Sequence, residues 1–232
     1  MIIDGVEVLY TMRNGKIVDP NIPTDGLVCY LDTRGKYNTD VYRNTLLDLS
    51  GNGNHGTLQN FSFTEESGYV KDLSGVGGLK FDGVDDEVTI SGDVMDKEPF
   101  TYFVDFKIPR TAKEQNTSIN LGLGFYSHQA NNLIYASSTN NPDGTTYGDA
   151  ELGVGRHIFI CTLREDFTKA KFFLDGNSVP ICGTLVSDGT PVIFRGTPWD
   201  KAIRRNGAKE INRLMIWNRD LTDEEITKLM EG

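Results

Sequence analysis

The sequence predicts an all-β fold, either an antiparallel sandwich or a barrel, and three observations support it. Short apolar, β-branched and aromatic runs follow one another along most of the 232 residues, separated by turns rich in Gly, Asn and Asp. No period of about 20 to 50 residues repeats, which disfavours propellers and solenoids. A convincing helical pattern occurs once, near residue 225.

The composition supports a packed core and argues against two classes of partner. Hydrophobic residues make up 38% of the chain and aromatic residues 10%, which suffices for one large domain. The formal net charge is −10, because 33 acidic residues outnumber 23 basic ones. Nucleic-acid binders usually carry a basic field, and anionic membranes attract cations, so neither is an expected partner.

Residues 1–25 differ from the remainder and are expected to form an N-terminal arm that either packs on the main domain or serves as an attachment segment. An Asn-Gly pair at Asn14 predicts a hairpin, after which Pro20 and Pro23 stiffen the chain. Residues 26–232 are predicted to form one domain. The first ten residues are acidic where a secretory signal would be basic and then apolar, and no run of about 18 apolar residues occurs. Synthesis in the cytoplasm, without membrane insertion, is therefore expected.

Six segments carry a clear strand pattern. Residues 100–108 alternate, so that Tyr102, Val104 and Phe106 share one face. Residues 157–166 are apolar on both faces, which predicts a strand that is covered on both sides. The other segments are residues 26–32, residues 211–219 and two predicted hairpins, 77–90 about Asp82-Gly83 and 170–181 about Asp175-Gly176.

One short helix is predicted at the C-terminal end. Thr222 is a good N-cap, Glu225 completes a capping box, and Leu221 and Ile226 occupy the positions of a hydrophobic staple. Ile226 and the apolar residues of the next turn form one face. A helix of this length needs tertiary packing, so we expect it to dock on the sandwich.

The stretch 46–61, LLDLSGNGNHGTLQNF, is interpreted as a tight, self-bonded corner. Glycine and asparagine accept a positive φ, and Asp48 and Ser50 can bond to nearby backbone amides. Its ends are expected to be anchored by four leucines, Leu46, Leu47, Leu49 and Leu58.

The three cysteines, Cys29, Cys161 and Cys182, are predicted to be buried free thiols. Each lies in an apolar, strand-like run, and their wide spacing does not suit a zinc site, which would need close pairs. Free thiols fit folding in a reducing compartment.

Taken in order, these segments resemble one family. Between residues 26 and 231 the chain is similar to the successive motifs of laminin-G-like domains of the concanavalin A-like lectin/glucanase superfamily. The matching motifs are GLVCYLD, DLSGNGNHG, LKFDGVDDEV, FTYFVDFK, HIFICTLREDFTKAKFFLDG and INRLMIWNRDLTDEEI. The resemblance implies a jelly-roll β-sandwich of two curved antiparallel sheets with a concave face.

The architecture, a lectin-like domain behind a short arm, also resembles minor virion proteins of tailed bacteriophages. That resemblance implies a structural head or tail protein that faces host glycans and contacts other virion proteins through residues 1–25. It implies a symmetric homo-oligomer as well, although no coiled-coil heptads set its order.

The superfamily includes glycoside hydrolases, but the sequence argues against catalysis. The hydrolase branch carries three acids on one strand face, whereas here Asp85 and Glu87 are followed by Thr89. A nucleophile-elbow motif for a serine hydrolase is missing, and His157 is interpreted as structural. We therefore expect no enzyme activity.

Calcium remains a candidate cofactor. Calcium prefers several oxygen ligands, which loops rich in Asp and Asn provide, and many lectin-like relatives carry such an ion. The candidate ligands are Asp48, Asn52, Asp82 and Asp85, although no EF-hand spacing supports them.

Two loop stretches offer the aromatic platforms and polar groups that sugar binding requires. Residues 125–149 contain Tyr126 and Tyr147, and residues 194–207 contain Arg195, Trp199 and Arg204. The arginines near Trp199 could receive an anionic glycan, since they stand out against an acidic chain. The alternative is ordinary loop packing and solvated charge.

The predicted function is a non-catalytic carbohydrate-binding or adhesive module whose partner is a cell-surface glycan or polysaccharide. The alternative is a purely structural virion or assembly protein that binds no sugar. A glycoside hydrolase of an unusual branch is the third hypothesis. Fold class alone does not decide among the three.

Overall fold

In a computed structural model of the chain, side chains are described for residues 19–71, 77–92, 94, 100–107, 155–162, 171–178 and 210–231. Outside these ranges the backbone of the remaining strands is described. The described residues form one helix, α1 (Asp223–Glu231), and the following strands: β1 (Ile2–Ile3), β2 (Val6–Glu7), β3 (Thr11–Arg13), β4 (Lys16–Val18), β5 (Leu27–Asp32), β6 (Thr45–Leu46), β7 (Gly56–Gln59), β8 (Gly68–Val70), β9 (Gly78–Phe81), β10 (Glu87–Ile90), β11 (Phe100–Ile108), β12 (Ile119–Gly122), β13 (Phe125–His128), β14 (Leu133–Ser137), β15 (Thr145–Asp149), β16 (Gly155–Leu163), β17 (Lys171–Leu174), β18 (Asn177–Val179), β19 (Ala202–Ile203) and β20 (Lys209–Trp217).

The strands form antiparallel sheets, as the sequence predicts. The large sheet has the order β18-β17-β16-β11-β20-β9-β8. Strand β20 pairs with β9 along its first residues, Lys209 to Ile211, and with β5 along its last residues, Arg213 to Trp217. A second sheet has the order β19-β10-β7-β6, and a third has the order β12-β13-β14-β15. The described structure is thus a mostly antiparallel β-sandwich with one short helix.

Both hairpins that contain a two-residue turn are confirmed where the sequence places them. Strands β3 and β4 pair through Arg13 and Lys16, which leaves the Asn-Gly pair at the turn. Strands β17 and β18 pair through Leu174 and Asn177. There Asp175 has φ +49° and Gly176 φ +81°, as a hairpin turn of type I′ requires.

The segment 77–90 is not a hairpin, and here the prediction is wrong. Strand β9 belongs to the large sheet and β10 to the second sheet, so the turn at Asp82 carries the chain from one sheet to the other. The cause lies in Asp86, whose buried carboxylate accepts hydrogen bonds from the Asp82 amide (2.8 Å) and the Ser67 hydroxyl (2.9 Å). These bonds close the turn at residues 82–86, directly before β10 begins.

The main core lies between the large sheet and the second sheet. Strand β11 contributes Phe100, Tyr102, Val104 and Phe106, which confirms the predicted face. Opposite them, the second sheet contributes Leu46, Leu58, Val88 and Ile90, and Cys29 and Cys161 are buried free thiols in the same core. Burial raises the pKa of both thiols, as expected for structural cysteines. Cys182 lies outside the described residues.

The other face of the large sheet is covered by α1. Ile226 and Leu229 pack with Leu221, Ile160 and Trp217, so β16 is buried on both faces as predicted. The capping box is confirmed: the Glu225 amide donates to the Thr222 hydroxyl (3.3 Å), and the Thr222 amide donates to the Glu225 carboxylate (2.9 Å). The indole of Trp217 donates to the Pro23 carbonyl (2.7 Å), which ties the lead-in segment to this face.

Candidate ligand-binding groove

The glycan-binding residues predicted from the sequence fall largely outside the described structure. Arg195, Trp199 and Arg204 lie outside it entirely. Tyr126 and Tyr147 lie on β13 and β15, and both pair in register with Tyr135 of the intervening strand β14. Directly opposed residues of neighbouring strands share one face of a sheet. The backbone therefore aligns the two predicted tyrosines in one row across the third sheet, with Tyr135 between them.

The predicted calcium ligands Asp48 and Asn52 lie in the self-bonded corner. The Asp48 carboxylate accepts from the amides of Tyr30 (2.8 Å), Ser50 (2.9 Å) and Asn54 (3.0 Å). The Asn52 side chain donates to the Leu27 carbonyl (2.9 Å). Donors of the chain itself thus occupy the Asp48 carboxylate, which explains the corner without an ion.

The other two predicted ligands come together with a third acid. Ligand oxygens of Asp82, Asp85 and Asp86 lie within 4.8 Å of one another. Burial raises the pKa of Asp86, and its two oxygens already accept bonds from Asp82 and Ser67. A buried acid bonded in this way holds the turn. Calcium binding at Asp82 and Asp85 stays a prediction.

Two histidines serve structural roles among the described residues. The His55 ring accepts from the Asp48 amide (3.0 Å) in the corner. His157 Nδ1 lies 2.8 Å from the carboxylate of Asp175 in the β17–β18 turn. The structural interpretation of His157 therefore rests on a specific contact.

The loop between β5 and β6, residues 33–44, is tightly anchored. The side chain of Asn38 accepts from the Tyr69 amide (2.7 Å) and donates to the Thr64 carbonyl (3.3 Å). The Arg43 carbonyl accepts from the Tyr69 hydroxyl (2.8 Å). Gly68 lets Asn38 approach, because a Cβ at Gly68 would lie 2.5 Å from the Asn38 side-chain oxygen.

This anchored loop nevertheless exposes large apolar side chains. Val41 is 86% exposed, Tyr42 82% and Tyr37 47%, and Leu47 beyond the loop is 57% exposed. The prediction that Leu47 anchors the corner is wrong, because Leu46 points into the core and its neighbour on the short strand end must point outward. A rigid loop with exposed aromatic residues is a surface that loses little entropy on binding.

The exposed residues border two cavities that both have Lys36 in their lining; we call the two together the Lys36 groove and each cavity one half of it. The apolar half, about 500 Å³, is lined by Lys36, Asp40, Val41, Tyr42, Thr45 and Leu47. The basic half, about 560 Å³, is lined by Lys36, Tyr37, Asn38, Thr39, Glu65, Tyr69, Val70, Lys71, Lys80, Lys107 and Glu210. Volumes of this size suit small-molecule and saccharide ligands.

Sequence reasoning missed this groove because its residues come from five separate segments, of which four supply lysines and β20 supplies Glu210. Lys36 and Tyr42 follow β5, Lys71 follows β8, Lys80 lies on β9 and Lys107 on β11. One signal was available: the apolar pair Val41-Tyr42 stands in a polar stretch, KYNTDVYRN, which has no strand pattern.

Sequence comparison detects no relative, since no protein-family model and no curated protein matches the chain. Comparison of structures does find neighbours. The receptor-binding domain of botulinum neurotoxin mosaic serotype C/D matches with a TM-score of 0.63 and 15% identity over 90% of this chain and 51% of that chain. The binding domain of botulinum neurotoxin DC, solved in complex with rat synaptotagmin II, matches with a TM-score of 0.61 and 14% identity over 90% of this chain and 52% of that chain.

A sialidase of Trypanosoma rangeli also matches, with a TM-score of 0.55 and 16% identity over 90% of this chain and 33% of that chain. The chain thus spans about half the length of the toxin domains and a third of the sialidase. At these identities the likeness shows a shared β-sandwich fold. Among the described residues, no helix is long and apolar enough to cross a membrane.

Proposed function

We propose that this protein is a non-catalytic module that binds a cell-surface glycan through the Lys36 groove. The observation that supports this proposal most directly is the hydrogen-bonded loop 33–44, which exposes Tyr42 beside the polar side chains of Lys36 and Asp40. An aromatic face with polar neighbours matches a pyranose, which has an apolar face and hydroxyl edges. The toxin receptor-binding domains of the same fold support a binding role.

A glycan array tests this proposal. The wild type is compared with Tyr42→Ala, and Val84→Ala is the matched control because Val84 is an exposed apolar residue (65%) on the Asp82 turn and lines neither half of the groove. We expect Tyr42→Ala to lose at least about tenfold in affinity, since stacking on an aromatic ring contributes roughly 1 to 3 kcal/mol. Val84→Ala should bind as the wild type does. Equal binding by all three proteins would contradict the groove as the site.

The two stretches predicted from the sequence, residues 125–149 and 194–207, remain alternative candidates for the binding site. The alignment of Tyr126, Tyr135 and Tyr147 across the third sheet favours the first stretch. Trp199→Ala and Tyr135→Ala belong on the same array. A loss with these variants and none with Tyr42→Ala would move the proposed site to these stretches.

The third hypothesis, a hydrolase, has one supporting observation in the sialidase neighbour. We favour a non-catalytic role because the acid run of the hydrolase branch is missing at Asp85, Glu87 and Thr89. Release of reducing sugar from any polysaccharide that the array identifies would overturn this choice.

The finer proposals, a laminin-G-like domain and a place in a phage virion, rest on the sequence motifs and on the arm at residues 1–25. In that setting the arm would contact other virion proteins, and a homo-oligomer would multiply weak glycan contacts. Head or tail genes beside the coding sequence would support the virion proposal, and their absence would favour another origin. A structural calcium at Asp82 and Asp85 is a related proposal, which a rise in Tm on adding calcium would support.

A further inference from the structure

The basic half of the Lys36 groove is positively charged on a protein of net charge −10. Four lysines line it, against two glutamates, Glu65 and Glu210. They come from four separate segments, so the fold brings together cations that are distant in the chain. Field lines in a cleft of one sign concentrate counter-ions there even when the whole molecule has the opposite charge.

Two of the four lysines are neutralised by carboxylates and two are not. The Lys80 ammonium lies 2.9 Å from Glu66, and the Lys107 ammonium lies 3.3 Å from Glu210. Among the described residues, neither Lys36 nor Lys71 forms an ion pair with a carboxylate. Among the described side chains, the groove lysines that form no ion pair are therefore Lys36, which lines both halves, and Lys71.

Lys71 is held in place by an aromatic ring. Its ammonium lies 4.6 Å from the centroid of the Tyr37 ring, a cation–π contact. Tyr37 in turn is fixed by its amide, which donates to the Asp40 carboxylate (2.9 Å). The contact orients the lysine without neutralising its charge, so the ammonium can still bind an external anion.

We propose that the Lys36 groove selects an acidic oligosaccharide. Tyr42 in the apolar half stacks on a sugar ring, and Lys36 and Lys71 in the basic half bind a carboxylate or sulfate group of the same ligand. This inference rests on the proposed function, because it names the ligand class for that site.

The surrounding charge favours an acidic saccharide over a nucleic acid. A phosphodiester chain carries a charge at every nucleotide and would meet the acidic remainder of a protein with 33 carboxylates. An acidic saccharide carries isolated anionic groups between neutral, partly apolar rings. Such spacing matches a groove in which an apolar half adjoins two uncompensated lysines.

The experiment uses pairs of saccharides in which one member carries anionic groups that the other lacks. The pairs are a galacturonic acid hexamer with its methyl ester, a heparin hexasaccharide with its desulfated N-acetylated form, and sialyllactose with lactose. Binding of each probe to the full chain is measured by calorimetry at low and at high salt. The first and third pairs test carboxylates, and the second tests sulfates because both of its members keep their uronate carboxylates. We expect the more acidic member of at least one pair to bind about tenfold or more tighter than the other member.

Substitutions of the groove lysines test which residues bind the anionic group of the saccharide. Lys36→Gln and Lys71→Gln should each lose about tenfold or more in affinity for the acidic member, the effect of one charge-assisted hydrogen bond, and should reduce the salt dependence. Lys36→Arg should retain most of the affinity. The matched control removes two lysines near or on α1, Lys171→Gln with Lys228→Gln, and should bind as the wild type does. Thermal unfolding confirms that each variant is folded.

The outcomes separate this inference from the proposed function. Equal affinity for both members of every pair, together with a loss in Tyr42→Ala, would overturn the acidic-ligand inference and leave the proposed function standing. Equal competition by a single-stranded DNA oligonucleotide would show unspecific polyanion binding and would also overturn it. Binding of no saccharide at all would defeat both proposals.

Discussion

The two faces of the large sheet are buried by different means, although neighbouring residues of one strand supply them. Val104 points into the main core, where it meets apolar side chains alone. The next residue, Asp105, is equally buried and points to the opposite face, which α1 covers in part. On this face, Phe103 and Met215 belong to the apolar cluster that α1 covers. The next residues on the same face of their strands, Asp105 and Arg213, belong to a buried ionic cluster instead.

That cluster is centred on Asp105. Its carboxylate accepts hydrogen bonds from the guanidinium groups of Arg156 (2.6 and 2.8 Å) and Arg213 (2.9 Å) and from the side-chain amide of Asn212 (3.3 Å). Asn212 is the residue that β20 leaves unpaired where its register with β11 shifts, so the bulge places its side chain beside Asp105. Apolar packing stabilises the main core. The part of the opposite face around Asp105 is stabilised by ion pairs and hydrogen bonds instead.

The largest effect that could test this comparison is expected from Asp105→Ala. The substitution leaves Arg213 buried without its carboxylate, and breaking a buried ion pair by removing one partner costs about 3 to 5 kcal/mol. Urea unfolding followed by tryptophan fluorescence measures the change in the free energy of unfolding.

Val104→Ala is the matched control on the opposite face. It removes apolar contacts but leaves no charge behind, and we expect a cost of about 2 kcal/mol. If Asp105→Ala costs no more than Val104→Ala, the ionic cluster is incidental to stability and the contrast between the faces fails.

The smallest effect is expected at the start of α1, where a carboxylate lies at the surface. A hydrogen bond from Arg219 (2.6 Å) is the main cause that lowers the pKa of Glu225 from 4.5 to about 2. Because the folded-state pKa is lowered, the stabilisation is present above pH 4.5 and is lost as the pH falls towards 2. The pair is partly exposed, so Glu225→Gln should cost under about 1 kcal/mol at neutral pH.

The measurement for this last prediction is the Tm of the wild type and of Glu225→Gln between pH 7 and pH 2. The difference between the two proteins should shrink as the acid limit is approached. Glu224→Gln is the control, because it removes a carboxylate of the same turn that pairs with Lys228 at the surface and not with Arg219. A constant difference across the whole range would show that Arg219 does not stabilise α1 through this charge.

Local patterns predicted the elements well, because alternation, turn dipeptides and capping residues act over a few positions. Strand β11 begins and ends where residues 100–108 alternate, and α1 begins after Thr222 as the capping box requires. The turn at Asp82 shows the limit of this reasoning. Its sequence looks like a hairpin, but the next strand, β10, pairs with β7, which lies in another segment of the chain and belongs to the second sheet.

The candidate sites were harder to predict for the same reason. Tyr126 and Tyr147 looked like separate loop residues, and the register through Tyr135 is a property of the third sheet. The exposed side of the Lys36 groove could not be found from periodicity, since its loop has none. Asp48 was named as a candidate metal ligand because of its residue type, and only the structure shows that its carboxylate accepts from the amides of Ser50 in the corner and Tyr30 on β5.

By itself, the sequence determined the antiparallel all-β class, the hairpins at Asn14 and Asp175, the burial of Cys29 and Cys161 and the docking of α1. These follow from side-chain periodicity and backbone preferences, which neighbouring residues decide. Tertiary structure alone decided that Asp105 is buried among cations and that Lys36 and Lys71 share a groove with Tyr42. Charges that are distant in the chain interact according to their separation in space, and strand order sets that separation.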